Sequence, residues 1–373
     1  MKTAALEKYA VRDVLEYRGN PRLNYTISDT NTVEEALELM DIHDIVSLPV
    51  FSRSKANTAM ESFVDIVSAY DLRDYIIQSK DLEDEVQFQL LSGRPSGNPT
   101  VLQHSVGQVV QSRKHASKQI SASASLEQLL QLFTSMGQHR VLVTDLDFGS
   151  AFPEKADADD ATPTVPQTQD KEKEKEKENK KSTRQRGRSI DSGCSSSTVE
   201  YYEAGHVVVC GLTQYDVVRF IQHHNHELWH SLDASAMDIA MERMPRGAAK
   251  QLPQIPHLSI RDSALSAMKR LRDTQVSALP VVDADGKLIT EVAGTGIRRL
   301  RSYNVGMLGK PVLAFMFNLD LSVTHPYVVH EGFTLSQIMS GLLRMNCRRA
   351  WLVDQEARPI SVISLTNVLQ HFL

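Results

Sequence analysis

Cysteine is scarce: three residues in 373, Cys194, Cys210 and Cys347, lie too far apart for a disulfide framework or a cysteine-rich zinc module. A reducing compartment is the expectation. No uninterrupted apolar run approaches the ~18 residues of a membrane span. Lys2 is followed by no apolar core of signal-peptide length. We therefore expect a soluble protein of the cytoplasm, the nucleus or both, without a membrane partner. An excess of basic charge is missing too. The formal net charge is −5, which argues against the clustered cationic face of a non-specific nucleic-acid binder. Length alone suggests about two or three domains, each able to bury a core.

Apolar residues are also nearly absent from one stretch, roughly Pro153 to Thr198. It holds Asp157, Asp159 and Asp160, then Pro163 and Pro166, an alternating Lys-Glu run from Lys171 to Glu178, Arg184, Arg186 and Arg188, and Ser195 to Ser197. Ordering such a segment costs backbone entropy with no apolar burial to offset it, so disorder is expected over about 150–199. The Lys-Glu run supports at most a weak solvated helix. Arg184-x-Arg186-x-x-Ser189 is a basophilic kinase acceptor pattern, which makes Ser189 a candidate regulatory phosphosite.

The rest of the chain repeats itself. Four times a capping residue opens a short amphipathic helix. Thr32 pairs with Glu35 ahead of Val33, Ala36, Leu37 and Met40, and Ser125 pairs with Gln128 ahead of Leu126, Leu129, Leu130 and Phe133. Asp262 precedes Leu265, Met268 and Leu271, and Thr334 pairs with Gln337 ahead of Leu335, Ile338, Met339 and Leu342. The spacing buries one stripe of each helix. An apolar strand follows in each unit: Ile45–Val50, Arg140–Val143, Val276–Val282 and Arg349–Val353. After a turn, plainest at Asp283-Ala-Asp-Gly286, comes a second strand: Phe63–Ser68, His206–Thr213, Leu288–Val292 and Ile360–Ser364. A closing helix completes the unit, opening at Asp71 in the first and Asp216 in the second.

From cap to closing helix the first, third and fourth units span 39, 35 and 33 residues (Thr32 to Asp71, Asp262 to Ile297, Thr334 to Asn367). The second spans 91 (Ser125 to Asp216), and the charged stretch lies between its two strands. It reads as a long insertion in a hairpin loop, which closure entropy tolerates because that cost grows only logarithmically with length.

These units resemble cystathionine-β-synthase (CBS) domains. Four in tandem resemble the γ regulatory subunits of AMP-activated (SNF1-type) protein kinases, most specifically over Val276–Asp283, Leu319–Thr324, Ile363–Gln370 and His139-Arg140 before Val141. The resemblance implies an α/β fold of α+β repeats: four CBS repeats forming two pseudo-symmetric pairs in a flat disc. The expected boundaries are 1–24 for an N-terminal segment, then 25–79, 117–225 with the insertion, 252–303 and 322–373 for the repeats. It further implies a non-catalytic, adenine-nucleotide-binding energy sensor. AMP, ADP or ATP would be regulatory ligands, no cofactor would be required, and kinase α-type and scaffolding β-type subunits would be partners.

Both strands of a unit expose backbone groups that can read an adenine edge. The second strand ends in a small-x-x-Ser/Thr-x-x-Asp pattern, with Ser68 and Asp71 in unit one and Thr213 and Asp216 in unit two. A carboxylate at a helix start is favoured by the helix dipole and can accept hydrogen bonds from both ribose hydroxyls. By resemblance, Asp71 and Asp216 are ribose-binding positions. His139-Arg140 and Arg348-Arg349 are phosphate ligands, arginine suiting the role through its bidentate fork, and Ser277 matches a serine near the phosphates. For each the plainer alternative is a simple helix cap, a solvated strand edge or a packed serine.

The sequence departs from the γ pattern in several places. Unit three reads Glu291-Val-Ala-Gly294-Thr-Gly-Ile297, placing an apolar side chain where the ribose acid belongs, and unit four ends at Asn367, which carries no charge. Unit one has Val46 where the family often places an arginine. Two competent clefts, at Asp71 and Asp216, are expected, with Asn367 as a third candidate. The departures leave room for a free-standing γ-related CBS protein that regulates a phosphatase or a stress and cell-cycle pathway. A remote alternative is a zinc peptidase, since His226-Glu227-Leu-Trp-His230 fits H-E-x-x-H. No third ligand follows at the usual spacing. Gly294-Thr-Gly296 and Gly306-Met-Leu-Gly309-Lys310 support neither a dinucleotide nor a P-loop site.

Overall fold

The computed structural model describes residues 8–19, 25–53, 61–96, 100–113, 118–135, 139–144, 210–224, 226, 232–242, 254–321 and 325–373. By compactness the chain divides into one body, Met1–Leu146 with Ser197–Leu373, and a second, Asp147–Ser196, which lies outside the described residues. The expected disordered insertion and Ser189 fall there. Among the described residues no helix is long and apolar enough to cross a membrane.

The first body holds four three-stranded sheets built alike. In chain order, unit one comprises α1 (Val11–Arg18), β1 (Ile27–Ser28), α2 (Val33–Ile42), β2 (Ser47–Arg53), β3 (Glu61–Ser68) and α3 (Ala69–Gln78), followed by α4 (Asp81–Ser92). Unit two comprises α5 (Val106–Ser112), β4 (Gln119–Ser121), α6 (Leu126–Ser135), β5 (Arg140–Thr144), β6 (Cys210–Thr213) and α7 (Gln214–His223). Unit three runs α8 (Ala236–Met241), β7 (Leu258–Ser259), α9 (Ala264–Asp273), β8 (Ala278–Val282), β9 (Leu288–Ala293) and a 3-10 helix, Gly294–Arg299. Unit four, after a 3-10 turn Val305–Gly309, runs α10 (Val312–Asn318), β10 (Val328–Val329), α11 (Leu335–Arg344), β11 (Arg349–Val353), β12 (Pro359–Ser364) and α12 (Leu365–His371). In every sheet the short first strand is parallel to the second, which is antiparallel to the third.

The caps act as their residue types require. Thr32, Ser125 and Thr334 accept from the amides of Glu35, Gln128 and Gln337, whose side chains reach back to the cap amides. In unit three the cap is Ser263 rather than Asp262: its hydroxyl takes the Ser266 amide, while the Asp262 carboxylate takes the Ser259 amide one turn earlier. The turn after β8 closes on Asp283, whose Oδ1 accepts the amides of Asp285 and Lys287, both at 2.9 Å. Asp354 repeats this in unit four.

Strand pairing fixes which positions correspond. Ser47 faces Ser68, Arg140 faces Thr213, Ala278 faces Ala293 and Arg349 faces Ser364. The third position of each closing helix is therefore Asp71, Asp216, Gly296 and Asn367. Two expectations are corrected here. Asp71 and Asp216 do not open their helices but sit at the third position, in the first turn, behind the caps Ser68 and Thr213. Unit three has Gly296 at the acid position; Ile297 is fully buried in the core.

Helix faces and sheet faces join different units. One core combines α6, α7, α11 and α12 of units two and four with the leading helices α1 and α8 of units one and three, around Phe133, Leu342 and Phe372. A second combines units one and three with the leading helices α5 and α10 of units two and four, around Leu37, Met40, Leu72, Met268 and Phe315. Sheets meet one with two through Ile66 and Leu142, and three with four through Ala278, Trp351 and Val353. Burying each such side chain contributes roughly 1.5–3 kcal/mol, so the helix-side cores dominate stability.

The leading helices cross over. α1 precedes unit one but bridges unit two, Ala10 to Ser125; α5 precedes unit two but bridges unit one, Ser105 to Thr32. The same exchange joins Ser235 to Thr334 and Pro311 to Ser263 in the other half.

Candidate functional site

The two acids are held identically. The Ser68 amide and hydroxyl both donate to Asp71 Oδ2, at 2.8 and 2.6 Å. The Thr213 amide and hydroxyl donate to Asp216 Oδ2, at 2.9 and 2.6 Å. Each cap oxygen in turn accepts the acid's own amide. The capping box thus consumes one carboxylate oxygen of each acid. The other, Oδ1, has no hydrogen bond among the described residues; that of Asp216 is fully buried.

Asn367 repeats the box, taking the Ser364 amide and hydroxyl on Oδ1 at 2.9 and 2.7 Å. Its only side-chain oxygen is spent, so what remains is an amide donor where the two acids keep an acceptor. Unit three has neither part, since Ala293 supplies no cap and Gly296 no side chain.

A feature the sequence reasoning missed lies against both acids. Arg113, just past α5, donates from Nη1 to the Ile66 carbonyl at 2.7 Å and to Asp71 Oδ2 at 3.4 Å, while its Nη2 pairs with Asp65. Arg18, closing α1, donates from Nη1 to the Gly211 carbonyl at 2.8 Å and to Asp216 Oδ2 at 3.1 Å. Ile66 and Gly211 each lie five residues before their acid. The signal was present in the sequence, because Arg18 and Arg113 both fall eight residues after their bridging residues Ala10 and Ser105. Only the crossover shows which acid each would meet.

The expected phosphate ligands occupy matching strand starts but differ in freedom. Arg348 is exposed, and its side chain makes no hydrogen bond or ion pair among the described residues. Arg349 is buried: it donates to Glu291 at 2.5 Å and to the Ser277 hydroxyl at 3.2 Å. Ser277 is thereby brought to Arg349. Arg140 opens β5 opposite Thr213.

His139 sits where three units meet. Its ring lies 5.4 Å from that of Tyr70 in unit one, and its Nδ1 is 3.4 Å from Gln214 Oε1 in unit two. The ring reaches solvent, yet protein crowds it, and that desolvation holds its pKa below the ordinary imidazole value. The Gln214 contact opposes this shift, Arg348 and Arg349 reinforce it, and Asp71 opposes it. His139, Arg348, Arg349 and Asp71 therefore share one electrostatic neighbourhood.

No group of three or more His, Cys, Asp or Glu side chains among the described residues could hold a metal ion. Glu227 and His230 of the H-E-x-x-H pattern lie outside the described residues.

Four repeated three-stranded units, two of them carrying an acid behind a hydroxyl cap, make up the fold. The CBS domain family matches residues 249–289. In fold the chain is similar to a protein from Methanocaldococcus jannaschii proposed as an archaeal homolog of g-AMPK, with a TM-score of 0.57 and 14% identity over 98% of this chain and 100% of that one. An uncharacterized conserved protein from Pyrococcus horikoshii aligns with a TM-score of 0.44 and 14% identity over 96% and 99% of the two chains. The AMP complex of CBSX2 aligns with a TM-score of 0.24 and 22% identity over 32% of this chain and 89% of that one. No curated protein sequence matches the chain.

Proposed function

We propose that the chain is a non-catalytic regulatory protein that binds adenine nucleotides at two clefts, one at Asp71 and one at Asp216. The observation that carries this reading is the paired acid geometry: in both units a capping box fixes the carboxylate through Oδ2 and leaves Oδ1 without a hydrogen bond among the described residues. Such an acceptor suits a ribose hydroxyl. The neighbouring carbonyls of Ile66 and Gly211 suit an exocyclic amine. His139, Arg140 and Arg348 supply donors for phosphate, with Arg349 and Ser277 behind them. Asn367 presents an amide donor and is the weakest of the three positions.

The similarity to the proposed archaeal homolog of g-AMPK supports a further step. The chain would act as a γ-like energy sensor for an SNF1-type kinase with α- and β-type subunits, ligand affinity differing between conformations of the assembly. Titration calorimetry of the full chain with AMP and with ATP tests the binding, and Asp71→Asn and Asp216→Asn each remove one site. Co-purification with a kinase catalytic subunit and a β subunit tests the assembly. Recovery with a phosphatase instead favours the free-standing regulator.

A further inference from the structure

We propose that Arg18 and Arg113 are built-in occupants of the two acid-bearing clefts, latches that a ligand must displace, and that the two latches differ in strength. The proposal rests on the nucleotide reading above and adds how those clefts are regulated.

Each guanidinium bridges a backbone carbonyl and the carboxylate five residues beyond it. Arg113 spans Ile66 and Asp71, and Arg18 spans Gly211 and Asp216. The carbonyl is the acceptor to which a nucleoside would offer an amine, and the guanidinium lies on Oδ2, beside the Oδ1 that would take a ribose hydroxyl. A guanidinium is also a multiple donor, so in the unliganded chain it takes the place those groups would fill. Ligand and arginine compete for the same carbonyl and for the space against the same carboxylate.

The placement is systematic. Both arginines lie eight residues after the bridging residue of a leading helix, and both arrive from the helix of the other unit. In the other half, the residue eight after Pro311, which bridges unit three, is Leu319, buried in the core, and unit three offers Gly296 rather than an acid. In unit three, acid and cation are missing together. The residue eight after the bridging Ser235 is Arg243, which lies outside the described residues.

The two latches are not equal. Arg113 has a third acceptor, since its Nη2 pairs with Asp65, a residue only 6% exposed. Cys210 takes the register position of Asp65 in unit two, because Val50 faces Asp65 as Val143 faces Cys210. Arg18 is buried, its side chain 3% exposed. Its Nε and Nη2 lack hydrogen bonds among the described residues, as does Oδ1 of Asp216. Buried polar atoms without partners disfavour the closed arrangement. A hydroxyl that donates to Asp216 Oδ1 and accepts from the released guanidinium satisfies both. The unit-two cleft therefore opens to ligand more readily than the unit-one cleft. Because each latch hangs from a crossed helix, opening one cleft loosens the helix that leads into the other unit.

The test is AMP titration of the full chain by calorimetry, comparing wild type with Asp65→Asn, Arg113→Gln and Arg18→Gln. Asp65→Asn and Arg113→Gln should tighten AMP at the unit-one cleft about tenfold, within the usual range of a coupling between sites. Addition of Asp71→Asn should abolish that gain. Arg18→Gln should tighten the unit-two cleft by less. In Asp65→Asn, which keeps the Arg113 bond to Ile66, amide exchange across 106–112 should quicken without ligand, and this carries the test if Arg113→Gln does not fold. AMP binding to wild type with unchanged or weaker affinity in the arginine and Asp65 variants overturns the latch and leaves the nucleotide reading standing. If no protein takes AMP, wild type or variant, both fall.

Discussion

The Glu291 carboxylate of unit three receives the Arg349 guanidinium of unit four at 2.5 Å, and its second oxygen receives the Trp351 indole at 2.6 Å. One of the expected phosphate cations thus already holds an internal anion. Removing the acid leaves a buried, unpaired guanidinium. Glu291→Ala should destabilise the chain by about 2 kcal/mol, read as a lowered urea midpoint. It should also tighten inorganic phosphate at Arg349. A variant with unchanged midpoint and unchanged phosphate affinity would show that the pair does neither.

Asp-to-Asn changes separate capping from binding. An asparagine at 71 or 216 can still take the cap amide and hydroxyl on its oxygen, as Asn367 does. Thermal midpoints should therefore move by less than about 4–8 °C, the shift expected from ~1 kcal/mol in a small domain, while the affected cleft loses AMP. The reverse change, Asn367→Asp, should create an acceptor and add AMP affinity in unit four. A stability loss as large as that of Asp216→Ala would mean that the charge, not the cap, holds the helix.

His139 gives a pH dependence with a defined sign. Its folded pKa lies below the ordinary value near ~6.5. The unfolded chain therefore takes up the proton first as the pH falls. The stability this group contributes is present above ~6.5 and lost below it. His139→Gln should flatten the fall in stability between about pH 7 and pH 5, by a small amount because the ring reaches solvent. A phosphate-bearing ligand beside the ring restores the charged form, so its binding near pH 6 should consume protons. Calorimetry in buffers of different ionisation heat reads that uptake; none would place phosphate away from His139.

Gly306 marks a close approach between the 3-10 turn Val305–Gly309 and α4. Its amide donates to Gln89 Oε1 at 2.8 Å, and a Cβ there would sit 2.7 Å from Gln89 Cβ. Gly306→Ala should destabilise by about 1–3 kcal/mol through overpacking. An unchanged midpoint would mean that α4 yields freely.

The repeat was legible because each unit carries its own local instructions. Thr32, Ser125 and Thr334 are caps by chemistry, and the apolar spacing behind them has one burial face. Where local chemistry was ambiguous the register slipped by one, at Asp262 against Ser263 and at Ile297 against Gly296. In both places an adjacent residue of plausible type stood beside the true one, and only strand pairing decided. Asp71, Asp216 and Asn367 were identifiable as equivalent, but not which oxygen the cap consumes. Arg18, Arg113 and Glu291 were invisible as site residues because their partners are 198, 42 and 58 residues away in sequence. Their contacts depend on the exchange of leading helices and on the meeting of sheets three and four.

The central claim is that two acids, each fixed by a hydroxyl cap through one oxygen, bind the sugar of a nucleotide with the other. Calorimetric titration of AMP into the full chain and into the Asp71→Asn/Asp216→Asn double variant tests it most directly. The account predicts about two sites in the wild type and their loss in a double variant that remains folded. Undiminished AMP binding by that folded variant would contradict it.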